Sequence, residues 1–288
     1  MSNGEQAIQD ISDTGRWVAV YRARENNRDD AIFHDDYAQL LAGQRGEDIA
    51  SKMNFPENHG WSYVIRTYLF DQLIASEIAQ GVDLVINLAA GLDTRPYRMS
   101  LPQSLMWVEV DFPEILSYKE DILSNAQPNC QLERVKMDLS NNEARKALFD
   151  DLAEKYRKIL VLSEGLLVYF TTEDVAKLSL ELASYQSIQR WIFDLVSPMQ
   201  LRILLRMIGK QLDEGGAKLQ FAPKEGVEFF SSYHWKALDV KGLLKTAADF
   251  NRLSFGMRLL AKIPEPKGAP GLRPWSGVCL MSNNASGH

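Results

Sequence analysis

The stretch DLVINLAAGLDTRPYRMSLPQSLMWVEVD spans residues 83–111 and holds two short apolar runs joined by a turn of small residues and a polar connection. Runs that are apolar at every position are typical of strands buried on both faces of a parallel sheet. Parallel strands need a crossover between them. The stretch therefore predicts one β-α-β unit, with a turn at Gly91 and with Asp111 at the end of the second strand.

Three further strand candidates follow this unit, at residues 131–137, 157–165 and 189–195, and segments of helical spacing separate them. The order between residues 83 and 194 is then β-α-β-α-β-α-β-α-β. Such alternation is typical of a doubly wound α/β domain with a Rossmann-like sheet. We expect this domain to occupy residues 81–288.

The segments around this core differ from it in pattern. Residues 1–80 contain no convincing strand and predict a helical N-terminal cover. A helical and aromatic insert is expected at about residues 197–250, with Ser197 capping its first helix and another helix over 238–251. Two late strand candidates, at 257–263 and 275–281, flank a proline-rich loop and predict an antiparallel pair at a sheet edge.

Composition excludes several classes of protein. Apolar residues make up 45% of the chain and charged residues 24%, as in globular domains. A formal charge of −6 without a basic run argues against a nucleic-acid partner. No apolar run approaches the length of a membrane span, and the N-terminal stretch lacks the pattern of a signal peptide. Two cysteines without a redox or metal motif favour a reducing, cytoplasmic compartment.

The four strands after the first all end in a carboxylate: Asp111, Asp138, Glu164 and Asp194. Ligands of open parallel sheets bind beyond the carboxyl ends of the strands. Gly91 precedes Asp111 by 20 residues, a spacing at which an acid accepts hydrogen bonds from ribose hydroxyls. Each acid could instead cap the helix after its strand. Acids at the ends of four successive strands favour a nucleoside site over four separate helix caps.

The turn after the first strand indicates which nucleoside binds. A dinucleotide fold requires G-x-G-x-x-G to approach a pyrophosphate, but this turn has only Gly91, and Asp93 beyond it would repel an anion. An NAD-dependent reductase is therefore disfavoured. S-adenosyl-L-methionine carries a ribose and adenine, no phosphate and a cationic sulfonium, so it suits an acidic rim. Asp93 and Thr94 have an equally good interpretation as the cap of a short helix.

Other kinds of chemistry find little support in the sequence. Val161 occupies the place where the nucleophile elbow of a hydrolase has its first glycine. The four histidines show no metal-ligand spacing, so no metal site is expected. No convincing general base stands out, and the catalytic residues stay unassigned. A noncatalytic module that binds S-adenosylmethionine is the alternative from another functional class.

Several motifs together resemble the leucine carboxyl methyltransferase and polyketide O-methyltransferase family. They are VINLAAGLDTRPYR at 85–98, WVEVDFP at 107–113 with Lys119, DL at 138–139, SEGLLVYF at 163–170, IFHDDYA at 32–38, RTYLFD at 66–71 and WSGV at 275–278. The resemblance covers most of the chain. It implies a seven-stranded methyltransferase sheet with an antiparallel edge strand, and S-adenosyl-L-methionine as the cofactor.

By resemblance, seven residues hold the cofactor: Arg66, Ala89, Gly91, Asp111, Asp138, Leu139 and Glu164. Arg66 pairs with the cofactor carboxylate, the turn at Gly91 packs against the methionine portion, and Glu164 lies near the methyl-donor end. Without the family, Arg66 would be taken for a solvated helix arginine.

The same resemblance implies the nucleoside contacts. Asp111 holds the ribose hydroxyls, while Asp138 and the backbone of Leu139 contact the adenine. Ala89 departs from the glycine that many members have, and Asp36 departs from a common proline. The first departure is expected to tighten the cofactor turn slightly.

The predicted activity is O-methylation of a small-molecule acceptor. A carboxylate is already anionic at pH 7 and needs no base, so a methyl ester is the favoured product. A phenol, with a pKa near 10, would need a base. A protein carboxylate is a further alternative. The apolar side chains predicted to contact the acceptor are Met199, Leu201, Leu204, Leu205, Met207, Phe221, Phe229, Phe230, Tyr233 and Trp235, although such a stripe is equally compatible with a core.

Overall fold

The computed structural model of the protein describes residue 8 and residues 12–53, 60–264 and 273–285. Seven strands form one sheet: β1 Leu84–Leu88, β2 Met106–Asp111, β3 Gln131–Lys136, β4 Ile159–Ser163, β5 Ile188–Val196, β6 Trp235–Gly242 and β7 Ser276–Asn283. Their order is β3-β2-β1-β4-β5-β7-β6. β1 to β5 are parallel, and β7 is antiparallel to β5 and β6. The predicted fold class is confirmed.

Helices surround this sheet: α1 Ser12–Asn26, α2 Ala38–Lys52, α3 Trp61–Ala79, α4 Arg95–Arg98, α5 Pro113–Ile122, α6 Asn142–Lys155, α7 Thr172–Ala183, α8 Pro198–Leu204, α9 Lys210–Glu214, α10 Leu243–Asp249 and α11 Phe255–Ala261. α1, α2 and α3 precede the first strand. Among the described residues, none of the helices combines the length and the apolar character that a membrane span requires.

Both faces of the central strands are buried, which explains their mostly apolar sequence. Every residue of β1 and of β4 is buried. Phe70 and Ile74 of α3 pack on one face, and Phe149 of α6 and Leu178 of α7 pack on the other. The strand order reverses between β1 and β4, so a crevice opens at the carboxyl ends of these strands.

The sequence prediction is wrong at β6. Residues 235–242 form a strand, whereas the prediction placed an irregular segment up to Trp235 and a helix over 238–251. The helix begins only at Leu243. β6 is the outer strand, and its residues alternate between exposed and partly buried, so it lacks the apolar run that marks the central strands. A bulge between Ala237 and Asp239 further breaks the alternation.

The prediction is also wrong at residues 257–263, which lie mostly in helix α11 rather than in a strand. This helix is apolar in sequence but has no buried residue, and Phe255 is 80% exposed. β6 takes the place beside β7 that this segment was expected to occupy. The predicted strand at 275–281 is confirmed as β7, while residues 265–272 of the proline-rich loop lie outside the described part of the chain.

The helix predicted after β5 is confirmed. The Ser197 hydroxyl accepts a hydrogen bond from the amide of Gln200, Pro198 lies in the first turn, and the helical stretch ends at Gly215. Residues Leu205–Gly209 form a short π-helical segment between α8 and α9. Single turns of π-helix within α-helices occur frequently at functional sites. This stretch supplies one wall of the cleft described next.

Candidate active site

A cleft of about 880 Å³ opens beyond the carboxyl ends of β1, β2, β4 and β5. All seven residues that the resemblance assigned to a cofactor line it: Arg66, Ala89, Gly91, Asp111, Asp138, Leu139 and Glu164. They come from α3 and from four separate strand ends. The topology therefore brings together residues that are up to 98 positions apart in the sequence.

The turn after β1 is built on two left-handed residues. Ala89 has a φ of +54° and Gly91 a φ of +48°. An L-residue in that region costs roughly 1 to 2 kcal/mol, and glycine avoids this cost. The departure of Ala89 from the glycine of its family is thus a site of backbone strain at the wall of the cleft.

Asp111 is fixed by two backbone amides. Its Oδ2 accepts a hydrogen bond of 2.6 Å from the Gly91 amide, and its Oδ1 accepts one of 2.7 Å from the Phe112 amide. Burial raises the pKa of Asp111, although these two hydrogen bonds oppose the shift. The carboxylate ties the end of β2 to the turn after β1 and so shapes that wall of the cleft.

Asp138 and Leu139 form the next part of the wall. The Asp138 carboxylate accepts a hydrogen bond of 2.8 Å from the Ser140 amide and is otherwise exposed at the rim. The carbonyl of Leu139 accepts a hydrogen bond from the guanidinium of Arg145, which orients this backbone. The cap of α6 is Asn141 rather than Asp138.

The alternative in which the strand-end acids cap the following helices is wrong. The caps of the helices after β2, β3, β4 and β5 are Phe112, Asn141, Thr171 and Ser197. Asp111 instead joins two strand ends, Glu164 and Asp194 form ion pairs, and Asp138 accepts a hydrogen bond from the amide of Ser140. At α4 the cap position is Thr94, whose side chain makes no capping hydrogen bond, while Oδ1 of Asp93 accepts a hydrogen bond of 2.9 Å from the amide of Arg95.

Arg66 is the centre of an ion-pair cluster at the floor of the cleft. Its Nε lies 3.0 Å from Oε1 of Glu164, and its Nη1 lies 3.4 Å from Oδ2 of Asp194. Asp194 also accepts a hydrogen bond of 2.6 Å from the Gly165 amide. The Arg66 side chain is only 14% exposed, so its interpretation as a solvated surface arginine is wrong.

A second arginine, Arg95, lies on the other side of Glu164 and was not assigned a role from the sequence. Its guanidinium lies 2.8 Å from Glu164, 2.8 Å from Asp93 and 2.6 Å from Asp71, with 3% of the side chain exposed. The sequence feature that could have indicated this role is the TRPYR motif in the turn after β1, in which Arg95 and Arg98 follow Asp93. Its partner Asp71 lies on α3, and only the fold brings it into contact.

The carboxylates of the cleft differ in how readily they take up a proton. Burial alone would raise the pKa of Glu164, but the attraction of Arg95 and Arg66 outweighs it, and the pKa lies below the usual value. At Asp93, burial would also raise the pKa, but Arg95, Lys119 and Arg98 together outweigh it and lower the pKa. At Asp194, burial dominates over Arg66 and raises the pKa. Glu164 and Asp93 are therefore firmly ionised at neutral pH.

Helix α1 docks on the turn after β1 through buried polar contacts. Arg22 lies 2.8 Å from Asp35 and donates a hydrogen bond of 2.6 Å to the carbonyl of Leu92. The hydroxyl of Thr94 donates to Asp35 at 2.7 Å. These contacts join the helical segment before β1 to the edge of the cleft.

The cleft has two parts of opposite character. The charged half carries the ion-pair cluster and Asp111. The apolar half is lined by Trp17, Tyr63, Val168, Tyr169, Phe170, Leu195, Leu204, Ile208, Leu212 and Leu219, and it also contains Gln200, Lys218 and Gln220. Burial raises the pKa of Tyr63 and of Tyr169, so neither phenol is ionised at neutral pH.

The insert does line the apolar half, but mostly through side chains other than the ten predicted. Of the ten side chains expected there, only Leu204 lines the cleft. Phe230 and Trp235 instead pack edge-on against Trp191 of β5, and Phe230 is completely buried in the core. The actual lining comes from α1, α3, the turn after β4, the end of β5 and the stretch from α8 to Leu219. No local sequence pattern indicates that Trp17 or Tyr63 lines the cleft.

Comparison with known proteins identifies relatives. One from Saccharopolyspora erythraea, described as a candidate S-adenosyl-L-methionine-dependent methyltransferase, is 33% identical over 196 residues, which are 62% of this chain and 65% of the relative. Another from Mycobacteroides abscessus, with the same description, is 31% identical over 180 residues, 57% of this chain and 58% of the relative. The chain thus spans less than two thirds of either relative.

The fold also matches a solved structure. A DUF574-family protein from Streptomyces avermitilis superimposes with a TM-score of 0.59 at 12% identity, over 94% of this chain and 97% of that protein. The sequence profile of the leucine carboxyl methyltransferase family matches residues 16–183, which is more than half of the chain. The family predicted from the motifs is confirmed, and the chain belongs to the leucine carboxyl methyltransferase family.

Proposed function

We propose that the protein is an S-adenosylmethionine-dependent O-methyltransferase that converts a carboxylate of an apolar small molecule into a methyl ester. The observation that carries this proposal is the juxtaposition, in one cleft, of the seven family residues and an aromatic, apolar half. The first set suits the cofactor, and the second suits the body of an acceptor.

The residues of the charged half fit the cofactor. Asp111 faces the cleft with both oxygens oriented by backbone amides, and each oxygen keeps a second acceptor site for a ribose hydroxyl. Arg66 would pair with the carboxylate of the methionine portion, and Glu164 would lie near the sulfonium. When bound, S-adenosylmethionine supplies an activated methyl group. The turn at Gly91, with Asp93 beside it, suits a ligand without phosphate.

The apolar half supports an acceptor that is already anionic. Tyr63 and Tyr169 hold their protons because burial raises the pKa of both. Asp194 is engaged by Arg66 and by the Gly165 amide. The described side chains of this half therefore position an acceptor and exclude water rather than take a proton from it, and a carboxylate needs no more than that.

A phenolic acceptor is the second candidate, and Asp194 is the observation that favours it. This carboxylate lies where the two halves meet, and burial raises its pKa, which makes it a better base than an exposed aspartate. The ion pair with Arg66 lowers the basicity of Asp194. We therefore favour a carboxylate over a phenol as the acceptor.

The test compares matched acceptors. The enzyme is incubated with methyl-labelled S-adenosylmethionine and either 2-naphthoate or 2-naphthol, and the products are treated with mild alkali. We expect label in the naphthoate product that alkali releases as methanol, since esters are cleaved and aryl ethers are not. Label that enters only naphthol and survives alkali would contradict the carboxylate acceptor and leave the methyltransferase activity intact.

A further inference from the structure

One cation of the cleft differs from the others in having no ion-pair partner within the described part of the chain. Each of the four cleft arginines has a carboxylate within 3.0 Å, as the pairs Arg22–Asp35, Arg66–Glu164, Arg95–Asp71 and Arg98–Asp71 show. Lys218 also lines the cleft, and no carboxylate of the described residues forms an ion pair with it. Its side chain is exposed, so it lies at the mouth rather than at the floor.

The backbone around Lys218 is held in place. Ala217, Leu219 and Phe221 are buried and anchor the segment. The amide of Gln220 donates a hydrogen bond of 2.7 Å to the carbonyl of Val168, and its side-chain amide donates one of 2.9 Å to the carbonyl of Tyr169. The segment is thus fixed to the turn that follows Glu164, and Lys218 stays beside the apolar half.

The chemistry of this position is that of an anion receptor. A lysine side chain lies along apolar surface with its stem and keeps its ammonium in water. Among the described residues, no carboxylate forms an ion pair with this ammonium, so it is available to an anionic ligand. Because the whole chain has a formal net charge of −6, an isolated cation at the mouth is the natural point of entry for an anion.

We propose that Lys218 determines specificity by binding a second anionic group, at the end of the acceptor that points away from the methylated carboxylate. The proposed function places methyl transfer at the floor beside the partly buried Glu164, whereas the Lys218 side chain is exposed at the mouth, so we assign the two anionic groups to different places. The acceptor class is then an apolar dianion such as an aromatic dicarboxylate. This inference rests on the proposed function for the identity of the first carboxylate.

The test uses binding rather than turnover. The enzyme is saturated with S-adenosylhomocysteine, which carries no methyl to transfer, and titrated with 2,6-naphthalenedicarboxylate and with 2-naphthoate, which differ only in the distal carboxylate. We expect the wild type to bind the dianion about threefold to fivefold more tightly, as for one exposed ion pair. Lys218→Met should bind both acids equally, and Lys218→Arg should restore the preference.

Lys224→Met is the matched control, because Lys224 is an exposed lysine six positions along the chain that does not line the cleft. It should keep the preference for the dianion. A wild type that binds neither acid or binds both equally would overturn the proposal, and so would an equal loss in Lys224→Met. Because no methyl is transferred, this result is independent of the ester test, and the two proposals fail separately.

Discussion

The two halves of the cleft are held in different ways. In the charged half, Arg66, Arg95 and Glu164 each contact more than one oppositely charged partner, and Asp111 bridges two strand ends. In the apolar half, side chains from distant segments pack together, with Tyr63 stacked on Tyr21 at 5.2 Å. The comparison indicates that the charged half is preorganised by fixed electrostatics, whereas the apolar half depends on shape.

The largest effect is expected at Arg95. Replacing it with alanine leaves Asp71, Asp93 and Glu164 in a buried site without their shared guanidinium, and breaking such a pair costs about 3 to 5 kcal/mol. Chemical denaturation should show a loss of that size in the free energy of unfolding. Lys146→Ala removes an exposed pair with Asp150 and should cost less than about 1 kcal/mol. Equal losses in the two variants would mean that the charged half is not preorganised.

A smaller effect is expected at Asp111, and it concerns the cofactor. Asp111→Ala should weaken S-adenosylhomocysteine binding by about 1.5 to 3 kcal/mol, the range for hydrogen bonds to a charged group. Calorimetric titration measures the affinity, and the melting temperature reports stability in parallel. Asp150→Ala serves as the control for loss of an aspartate. If stability falls while affinity stays unchanged, Asp111 has only a structural role.

The apolar half should respond through acceptor affinity. Leu204 lines the cleft, whereas its neighbour Leu205 is 38% exposed and does not. Leu204→Ala should weaken 2-naphthoate binding by about 1 kcal/mol, the order of one or two lost methylene contacts, and leave S-adenosylhomocysteine binding unchanged. Leu205→Ala should change neither affinity. A fall in cofactor affinity for Leu204→Ala would show that the two halves are not separable.

The smallest effect is expected at the strained turn. Ala89 has a left-handed φ, so Ala89→Gly removes a steric cost and adds a smaller loss of backbone entropy. The free energy of unfolding should rise by less than about 1 kcal/mol. Thermal denaturation at equal ligand saturation measures it. A decrease in stability would mean that the alanine methyl packs favourably enough to offset its strain.

The charged half could be predicted largely from sequence because its residues follow strands that are themselves easy to recognise. β1 and β4 are apolar apart from Asn87 and Ser163, Asp111 and Glu164 stand directly at strand ends, and Gly91 lies in the turn after β1. The ion-pair partners of Arg95 could not be predicted, since Asp71 lies on another helix 24 positions away. The position of a residue after a recognisable strand predicts that it lies at the crevice. Which charged side chains form ion pairs there depends on how the helices pack in the folded protein.

The apolar half and the edge of the sheet could not be predicted for related reasons. The aromatic residues of the insert have the same sequence pattern whether they face a pocket or a core, and Phe230 faces the core. β6 is an edge strand, and its exposed polar positions mean that it lacks the apolar run by which the central strands were recognised. Trp17 reaches the cleft only because α1 packs across it, which no local pattern encodes.

The most direct test of the central claim is a calorimetric titration of the wild type with S-adenosylmethionine, NADH and ATP. The turn at Gly91, with Asp93 and without further glycines, should accept the phosphate-free ligand alone. We expect S-adenosylmethionine to bind at micromolar concentration and to raise the melting temperature by mass action, with no heat of binding from NADH or ATP. Binding of NADH without binding of S-adenosylmethionine would contradict the account.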